Sequence, residues 1–557
     1  MKSKVLSVKD LSISFSKDET WNQVLKNISF TVNSGETLGI VGESGSGKSV
    51  SCLALLGLLP KKLSRVDNGV ATLSLGSHEH NLLDGSTSSL ELRGSHVGMI
   101  FQEPMTSLNP LYTCGNQLVE VVQKHLKLTH AEALALAEEW FEKVELPNPK
   151  RVLSSYPHEL SGGQRQRVMI AMTMSCKPKL LIADEPTTAL DVTVQKSVLD
   201  LISKLQAENN TAVIFISHDL GVVKNIADNV LVMRQGEMIE FNNSKKLFES
   251  PQHNYTRGLI ACKPENTLKE NRLLTVNEVL KGNLSPSLRN STFLNKGDVL
   301  YKVKNLNKSY VKRTGFIKKT STIVEAVKDV SFEILRGETL GLVGESGCGK
   351  STLSKILTGL LDADSGVLEY EGVDISSYDQ KDWKNLRGKI QFIFQDPFSA
   401  LNPRISVEKL ILEVLIKHQP SLNNHEREEL ILKLIMDVGL TKESLFKYPH
   451  QFSGGQRQRI VIARALAAKP EFIIADESVS ALDVSVQAQV LNLLNDLKSE
   501  YNLTFLFISH DLSVVHYMSD HVLVMNEGVI IERGSSEEIY NNPQKTYTKR
   551  LLESMYS

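Results

Sequence analysis

The chain has 557 residues, 41% of them hydrophobic and 23% charged, and a formal net charge of −1. This is globular composition at a length that holds several domains, and the near-zero charge excludes a global field that would gather a polyanion such as DNA. No apolar run approaches the ~18 residues a membrane-spanning helix needs, and the five cysteines, Cys52, Cys114, Cys176, Cys262 and Cys348, form no close pair of zinc-ribbon or disulfide type.

In chain order, VLSVKDLSISF alternates and predicts a strand rather than a signal peptide. GETLGIV predicts a buried strand and runs into GESGSGKS at 42–49. The pattern G-x-x-x-x-G-K-[ST] is a phosphate cradle. Gly42, Ser44, Gly45 and Gly47 let backbone N–H groups surround phosphate oxygens, Lys48 reaches the β- and γ-phosphates, and Ser49 binds Mg²⁺. Residues 74–89 are polar and predict a long loop. Gln102, in FQEP at 101–104, follows an apolar strand and is placed to meet Mg²⁺ or the attacking water. AEALALAEEWFEKVEL at 131–146 has apolar residues at three- and four-residue spacing and predicts part of a helical insertion.

LSGGQ at 160–164 precedes a helical run. Ser161 caps that helix, Gly162 and Gly163 permit close backbone approach, and Gln164 completes the binding motif. The helix N-terminus is an anion site with no phosphate loop of its own half beside it, so its anion is the γ-phosphate held by the other half. LLIADE at 180–185 ends an apolar strand in Asp184, which positions Mg²⁺, and Glu185, whose carboxylate polarises the attacking water. SHD at 217–219 sets His218 after a further apolar strand; a lone histidine there is usually structural, and its recurrence in the second half favours a catalytic place.

A polar stretch with Pro264 and Pro286 predicts a linker at 263–296, between domains at 1–262 and 297–557. The basic segment at 312–319 occurs only in the second half and reads as a solvated loop. The same motifs then recur: GESGCGKS at 344–351 (Gly344, Ser346, Gly347, Gly349, Lys350, Ser351), Gln395 in FQDP, a helical pattern at 427–440, Ser453, Gly454, Gly455 and Gln456 in FSGGQ, Asp476 and Glu477, and His510. Lys350 lies 302 positions after Lys48 and Gln395 lies 293 after Gln102, whereas the signature serines, the glutamates and the histidines are each 292 apart. Ser478 replaces Pro186 and Phe452 replaces Leu160; neither change removes a functional group, so two competent sites are expected. Cys348 reads as a small residue in its loop rather than a redox thiol. The halves also end alike, in SPQHNYTRGLI at 250–260 and NPQKTYTKRLL at 542–552.

Together with ALD at 189–191 and 481–483, these motifs resemble the ATP-binding cassette ATPases over nearly the whole chain. The resemblance implies an α/β fold of two tandem P-loop ATPase domains, each a RecA-like core with a helical subdomain and an antiparallel β region. It implies a head-to-tail pseudo-dimer within one chain. One site would join Lys48, Ser49, Gln102, Asp184, Glu185 and His218 to Ser453, Gly454 and Gly455; the other would join Lys350, Ser351, Gln395, Asp476, Glu477 and His510 to Ser161, Gly162 and Gly163. It also implies an aromatic residue stacked on adenine, for which Phe15 and Tyr310 are the candidates.

IFQEPMTSLNPL, YPHELSGGQRQRVMIAM and ADEPTTALDVTVQ narrow the resemblance to bacterial peptide and nickel importers, nearest to fused two-cassette subunits of microcin C-like, oligopeptide or glutathione importers. That implies an ATPase using ATP and Mg²⁺, peripheral on the cytoplasmic face of the inner membrane, and partnered by two permease subunits and an external solute-binding protein, with no nucleic acid. The solutes would be peptides or peptide-like, with glutathione or nickel as alternatives. A soluble ABC translation factor or DNA factor is the rival class, disfavoured by the short, mildly charged linker and the missing cysteine pairs. With only Cys262 after the first cassette, no iron–sulfur cluster is expected.

Overall fold

The computed structural model describes residues 3–17, 20–85, 90–102, 107–188, 190–288, 297–314, 320–480 and 482–555. Residues 103–104 of FQEP, Ala189 and Ala481 of the ALD turns, and 315–319 of the basic segment lie outside the described residues. The chain forms two compact units. One comprises Met1–Leu190, Val194–Ile260 and Val279–Lys281, the other Asp191–Thr193, Ala261–Glu278 and Gly282–Ser557.

The strands of the first unit are β1 (Lys4–Lys17), β2 (Thr20–Asn33), β3 (Thr37–Val41), β4 (Ser64–Leu75), β5 (His78–Asn81), β6 (Val97–Ile100), β7 (Leu180–Asp184), β8 (Ala212–Ile216), β9 (Asn229–Arg234) and β10 (Glu237–Asn243). They build an antiparallel sheet in the order β2-β1-β4-β5 and a six-stranded sheet in the order β10-β9-β3-β8-β7-β6. In the second sheet only β10 runs antiparallel to its neighbour. Every residue of β3, β7 and β8 is buried, which is why these strands are apolar on both faces and sit centrally in a parallel sheet. The core lies between the sheets, joining Leu6, Ile13 and Leu25 to Ile40, Ile182 and Ile214.

The second unit repeats this plan with β11 (Val299–Thr314), β12 (Thr320–Leu335), β13 (Thr339–Val343), β14 (Ser365–Tyr370), β15 (Val373–Asp374), β16 (Ile390–Ile393), β17 (Phe472–Asp476), β18 (Thr504–Ile508), β19 (His521–Asn526) and β20 (Val529–Ser535). Its sheets are β12-β11-β14-β15 and β16-β17-β18-β13-β19-β20.

The insertion between β6 and β7 is helical, with segments at Cys114–Leu126, His130–Lys143 and Pro149–Ser154 before the signature helix Gly162–Met174. Thr129 starts the second of these in a capping box with Glu132. The counterpart Asn424–Asp437 starts the same way, from Asn423 with Glu426; each box satisfies two orphan backbone donors.

Two stretches differ from the sequence expectation. The extra length is not simply a loop, since β4 runs on to Leu75. Its end folds back on β5, with Thr72 opposite Asn81 and Leu75 opposite His78, because polar side chains suit the open face of an edge hairpin; residues 86–89 lie outside the described residues. The polar stretch after the first cassette contains the short helices Pro264–Asn266 and Val276–Leu280, and it buries Leu273, Leu274 and Val276. Its residues 261–278 belong to the second unit. There the Leu273 N–H donates to Asn492 Oδ1 at 3.0 Å, and Asn492 Nδ2 donates back to the Leu273 carbonyl at 2.8 Å. Tyr517 Oη donates to the Asn271 carbonyl at 3.1 Å, and Arg272 pairs with Asp496. This strap lies across the helices Val484–Tyr501 and Leu512–Met518.

Among the described residues, no helix is long and apolar enough to cross a membrane.

Candidate functional site

Strand register brings the motifs of each unit to one sheet edge. Asp184 and Ile40 are both level with Ile216, so the loops leaving β3, β7 and β8 emerge together. That edge is the carboxyl end of the parallel strands, where open α/β sheets bind ligands.

The loop after β3 wraps the start of the helix Lys48–Leu55, and the loop after β13 wraps the start of Lys350–Leu357. Lys48 Nζ is buried and donates to the carbonyls of Gly42 at 2.7 Å and Glu43 at 3.0 Å. Lys350 Nζ does the same to Gly344 at 2.7 Å and Glu345 at 2.9 Å. Gly47 and Gly349 stand at φ 99° and 112°, where a Cβ would come within 2.5 Å of Leu25 Cδ2 and 2.1 Å of the Ala326 carbonyl oxygen. Only glycine fits both the backbone and the space there. Cys348 is buried, which pushes its thiol pKa up against the opposing charge of Lys350.

Ser49 Oγ donates to Asp184 Oδ1 at 3.1 Å. Burial raises the Asp184 pKa, with that hydrogen bond opposing it. In the second unit the Asp476 carboxyl is likewise raised by burial, with Ser351 opposing, and Asp476 Oδ1 is buried without a hydrogen-bond partner.

The adjoining glutamates sit in left-handed backbone, Glu185 at φ 46° and Glu477 at φ 47°. Side chains rarely adopt that region, and backbone strain of this kind concentrates at functional sites. The Glu185 N–H donates to the Ile216 carbonyl at 3.0 Å and the Glu477 N–H to the Ile508 carbonyl at 2.9 Å, which pins each glutamate beside the strand that leads to its histidine.

Glu185 Oε2 accepts from Gln102 Nε2 at 3.0 Å and from Thr188 Oγ1 at 3.0 Å, and His218 Nδ1 lies 3.2 Å away. Glu477 Oε2 accepts from Gln395 Nε2 at 2.7 Å, with His510 Nδ1 at 3.5 Å. Ser480 turns its hydroxyl to the Glu477 carbonyl at 2.9 Å instead. Burial pushes the Glu185 pKa up, but the hydrogen bond and charge of His218, with Thr188 and Lys48, outweigh it and hold the carboxylate below its ordinary value. Glu477 is lowered by His510 against the same burial. Burial also opposes protonation of His218 and His510, yet each glutamate raises its histidine above the usual imidazole value. Each unit therefore sets a carboxylate held below its ordinary pKa beside a histidine raised above its own, an ionised oxygen available to a water.

The signature residues lie on a separate element. Ser161 and Ser453 are the N-caps of Gly162–Met174 and Gly454–Leu466, each in a capping box with Gln164 or Gln456. Their first-turn glycines leave the helix N-termini open to an anion. Phe15 is half-buried and packs on the core, whereas Tyr310 is 43% exposed.

Sequence reasoning noted the matching endings of the two halves but gave them no part in the site. The structure carries both there: Tyr255 Oη accepts the Glu43 N–H at 3.2 Å, and Tyr547 Oη accepts the Glu345 N–H at 3.0 Å.

The family profile described as ABC transporter matches residues 25–188 and 327–480. A second, described as the C-terminal region of oligopeptide/dipeptide transporters, matches residues 239–285. The chain is 45% identical over 555 residues to the glutathione import ATP-binding protein GsiA of Shigella boydii serotype 4 (strain Sb227), covering 98% of this chain and 89% of that protein. It is 44% identical over 555 residues, with the same coverage, to GsiA of Escherichia coli (strain K12). Among solved structures it resembles the dimeric post-hydrolysis state of the ATP-binding cassette MJ0796 bound to ADP and Pi, at 28% identity and a TM-score of 0.39, covering 42% of this chain and 99% of that one.

Proposed function

We propose that this chain, which belongs to the ABC transporter family, is the two-cassette ATPase subunit of a bacterial importer whose solute is glutathione. The observation that carries the reading is that both cassettes keep an ionised glutamate held by a glutamine and a histidine, so neither site has lost its base. Glutathione is favoured by the two relatives named for its import. The match to the oligopeptide/dipeptide transporter region supports small peptides as a second cargo class.

The donor set suits a hard divalent cation. The Ser351 hydroxyl, the Asp476 carboxylate and the Gln395 amide oxygen are all oxygen ligands, and the unpartnered Asp476 Oδ1 is a buried acceptor in need of a partner. Ser49, Asp184 and Gln102 repeat the set. Mg²⁺ held there would neutralise phosphate charge.

Backbone N–H groups of 42–47 and 344–349 cradle the phosphates, and Lys48 and Lys350 exchange their loop carbonyls for phosphate oxygens. Phe15 and Tyr310 offer rings to the adenine. Glu185 and Glu477 take the proton of the attacking water, and His218 and His510 hold those carboxylates in place. In the ATP-bound state Ser453, Gly454 and Gly455 close on the phosphate held by Lys48, while Ser161, Gly162 and Gly163 close on that held by Lys350. Gln102 and Gln395 relay occupancy to the helical insertions, which push on two permease subunits at the cytoplasmic face of the membrane; an external binding protein delivers the solute.

Uptake in cells lacking this chain tests the reading, with glutathione, dipeptides, oligopeptides and nickel as solutes and the Glu185→Gln/Glu477→Gln chain as control. Loss of glutathione uptake, restored by the wild-type chain and not by the control, is the expected result. Loss of peptide uptake alone reassigns the cargo. Unchanged uptake of all four, with the chain co-purifying with ribosomes, overturns the importer reading.

A further inference from the structure

In both cassettes one peptide plane of the phosphate loop is held at its two ends. The Gly42 carbonyl accepts from Lys48 Nζ at 2.7 Å, and the N–H of the same peptide, that of Glu43, donates to Tyr255 Oη at 3.2 Å. The peptide joining Gly344 to Glu345 is held identically, by Lys350 at 2.7 Å and by Tyr547 at 3.0 Å. A peptide unit is rigid, so fixing its N–H also fixes the direction of the carbonyl that holds the lysine. We propose that Tyr255 and Tyr547 are positioning residues for the phosphate loops: through the peptide of Glu43 or Glu345, each hydroxyl sets the loop that receives the ATP phosphates.

The tyrosines are themselves firmly placed. Tyr255 is fully buried, and the Arg234 guanidinium stands 4.9 Å above its ring. It enters on the helix Asn254–Ala261, whose approach is tied to β10: Glu240 accepts the N–H groups of Gln252 and His253, each at 3.0 Å. In the second cassette Glu532 of β20 accepts the N–H groups of Gln544 at 2.6 Å and Lys545 at 3.2 Å, just ahead of the helix Thr546–Met555. Apart from the Arg234 contact, the device thus recurs at the end of each half, 212 and 202 positions beyond its loop. A hydroxyl buried in this way needs partners, and those of Tyr255 belong to the loop: the Glu43 amide and the Glu43 side chain. When Lys48 leaves the Gly42 carbonyl for a phosphate, the tether at the N–H end keeps the peptide from turning.

The inference rests on reading 42–49 and 344–351 as phosphate loops. Tyr255→Phe, Tyr547→Phe and the double variant keep the ring and remove only the hydroxyl. The double variant is expected to bind ATP and ADP about fivefold more weakly, the effect of one lost hydrogen bond, and to raise KM for ATP in step while kcat at saturating ATP stays near wild type. In the single variants, 8-azido-ATP labelling is expected to fall at the altered cassette alone. Unchanged nucleotide affinity together with a lower unfolding temperature overturns the proposal, since it assigns the hydroxyls to packing only; equal labelling of the two cassettes in the single variants overturns it as well. If instead Lys48→Ala with Lys350→Ala leaves ATP binding intact, the phosphate-loop reading fails, independently of the tyrosines.

Discussion

Gln395 donates its side-chain amide to Glu477 at 2.7 Å, joining the strand that opens the helical insertion to the carboxylate beside Asp476. Gln102 and Glu185 make the same bond at 3.0 Å. A carboxylate so placed has a neutral isostere in glutamine, which keeps the shape and loses the basicity. In Glu185→Gln/Glu477→Gln, ATP binding should persist while steady-state hydrolysis falls at least about a hundredfold, the usual scale of a missing general base. Phosphate release against bound nucleotide is the measurement, and turnover near the wild-type rate would remove both glutamates from that role.

The proposed action of each signature helix on the opposite cassette predicts a crossed phenotype. Ser453→Arg loses the cap and fills the helix N-terminus, yet the nucleotide it should disturb is the one held by Lys48. Vanadate trapping followed by photolabelling should show loss in the first cassette. Loss confined to the cassette of Lys350 would contradict the crossed arrangement.

The turn that precedes the Tyr255 helix should be sensitive to acid. Burial raises the Glu240 pKa, but the N–H groups of Gln252 and His253 and the Thr256 hydroxyl outweigh it and hold the carboxylate below its ordinary value. A folded-state pKa below the unfolded one contributes stability that is complete above the unfolded value and is lost as pH falls through the folded value. Glu240→Gln should therefore be less stable than wild type at neutral pH, and the gap should close as pH drops below about 4. Denaturant midpoints at several pH values decide this; a gap that widens in acid would have the sign wrong.

The strap supplies a contrast between equivalent positions. Asn492→Leu leaves the Leu273 carbonyl without its side-chain donor and weakens the hold on its N–H, and a buried group left unpaired costs about 1–3 kcal/mol. Asp200, the equivalent residue of the first cassette, is exposed, so Asp200→Leu should shift stability by no more than about 0.5 kcal/mol. Equal effects in chemical denaturation would deny the strap its seat.

Much of the site was legible because the chain states it twice. Lys48, Asp184, Glu185 and His218 lie in short motifs whose chemistry needs those residue types, and recurrence at 292 positions removes chance for the glutamates and histidines. The family match over 25–188 and 327–480 then placed the chain in the ABC transporter family. What stayed hidden was of other kinds. The left-handed backbone of Glu185 and Glu477 has no mark in residue type, because glutamate does not advertise it as glycine would. Tyr255 meets Glu43 across 212 positions, and Leu273 meets Asn492 across 219; no local periodicity reports contacts so distant. The stretch 74–85 carries polar side chains because an edge hairpin exposes them, and composition alone does not separate that from a loop.

The strap also makes the duplicated halves non-interchangeable. Where Asn492, Asp496 and Tyr517 receive it, the first half presents Asp200, Lys204 and Asn225. Asp200 lacks the amide donor for Leu273, Lys204 would meet Arg272 with like charge, and Asn225 has no ring to reach Asn271. A chain assembled from two copies of the first half would keep both phosphate loops and both signatures but give the strap no berth. The order of the cassettes is thus written into residues that touch neither nucleotide nor metal, so reversing the halves would disturb the junction before it disturbed the chemistry.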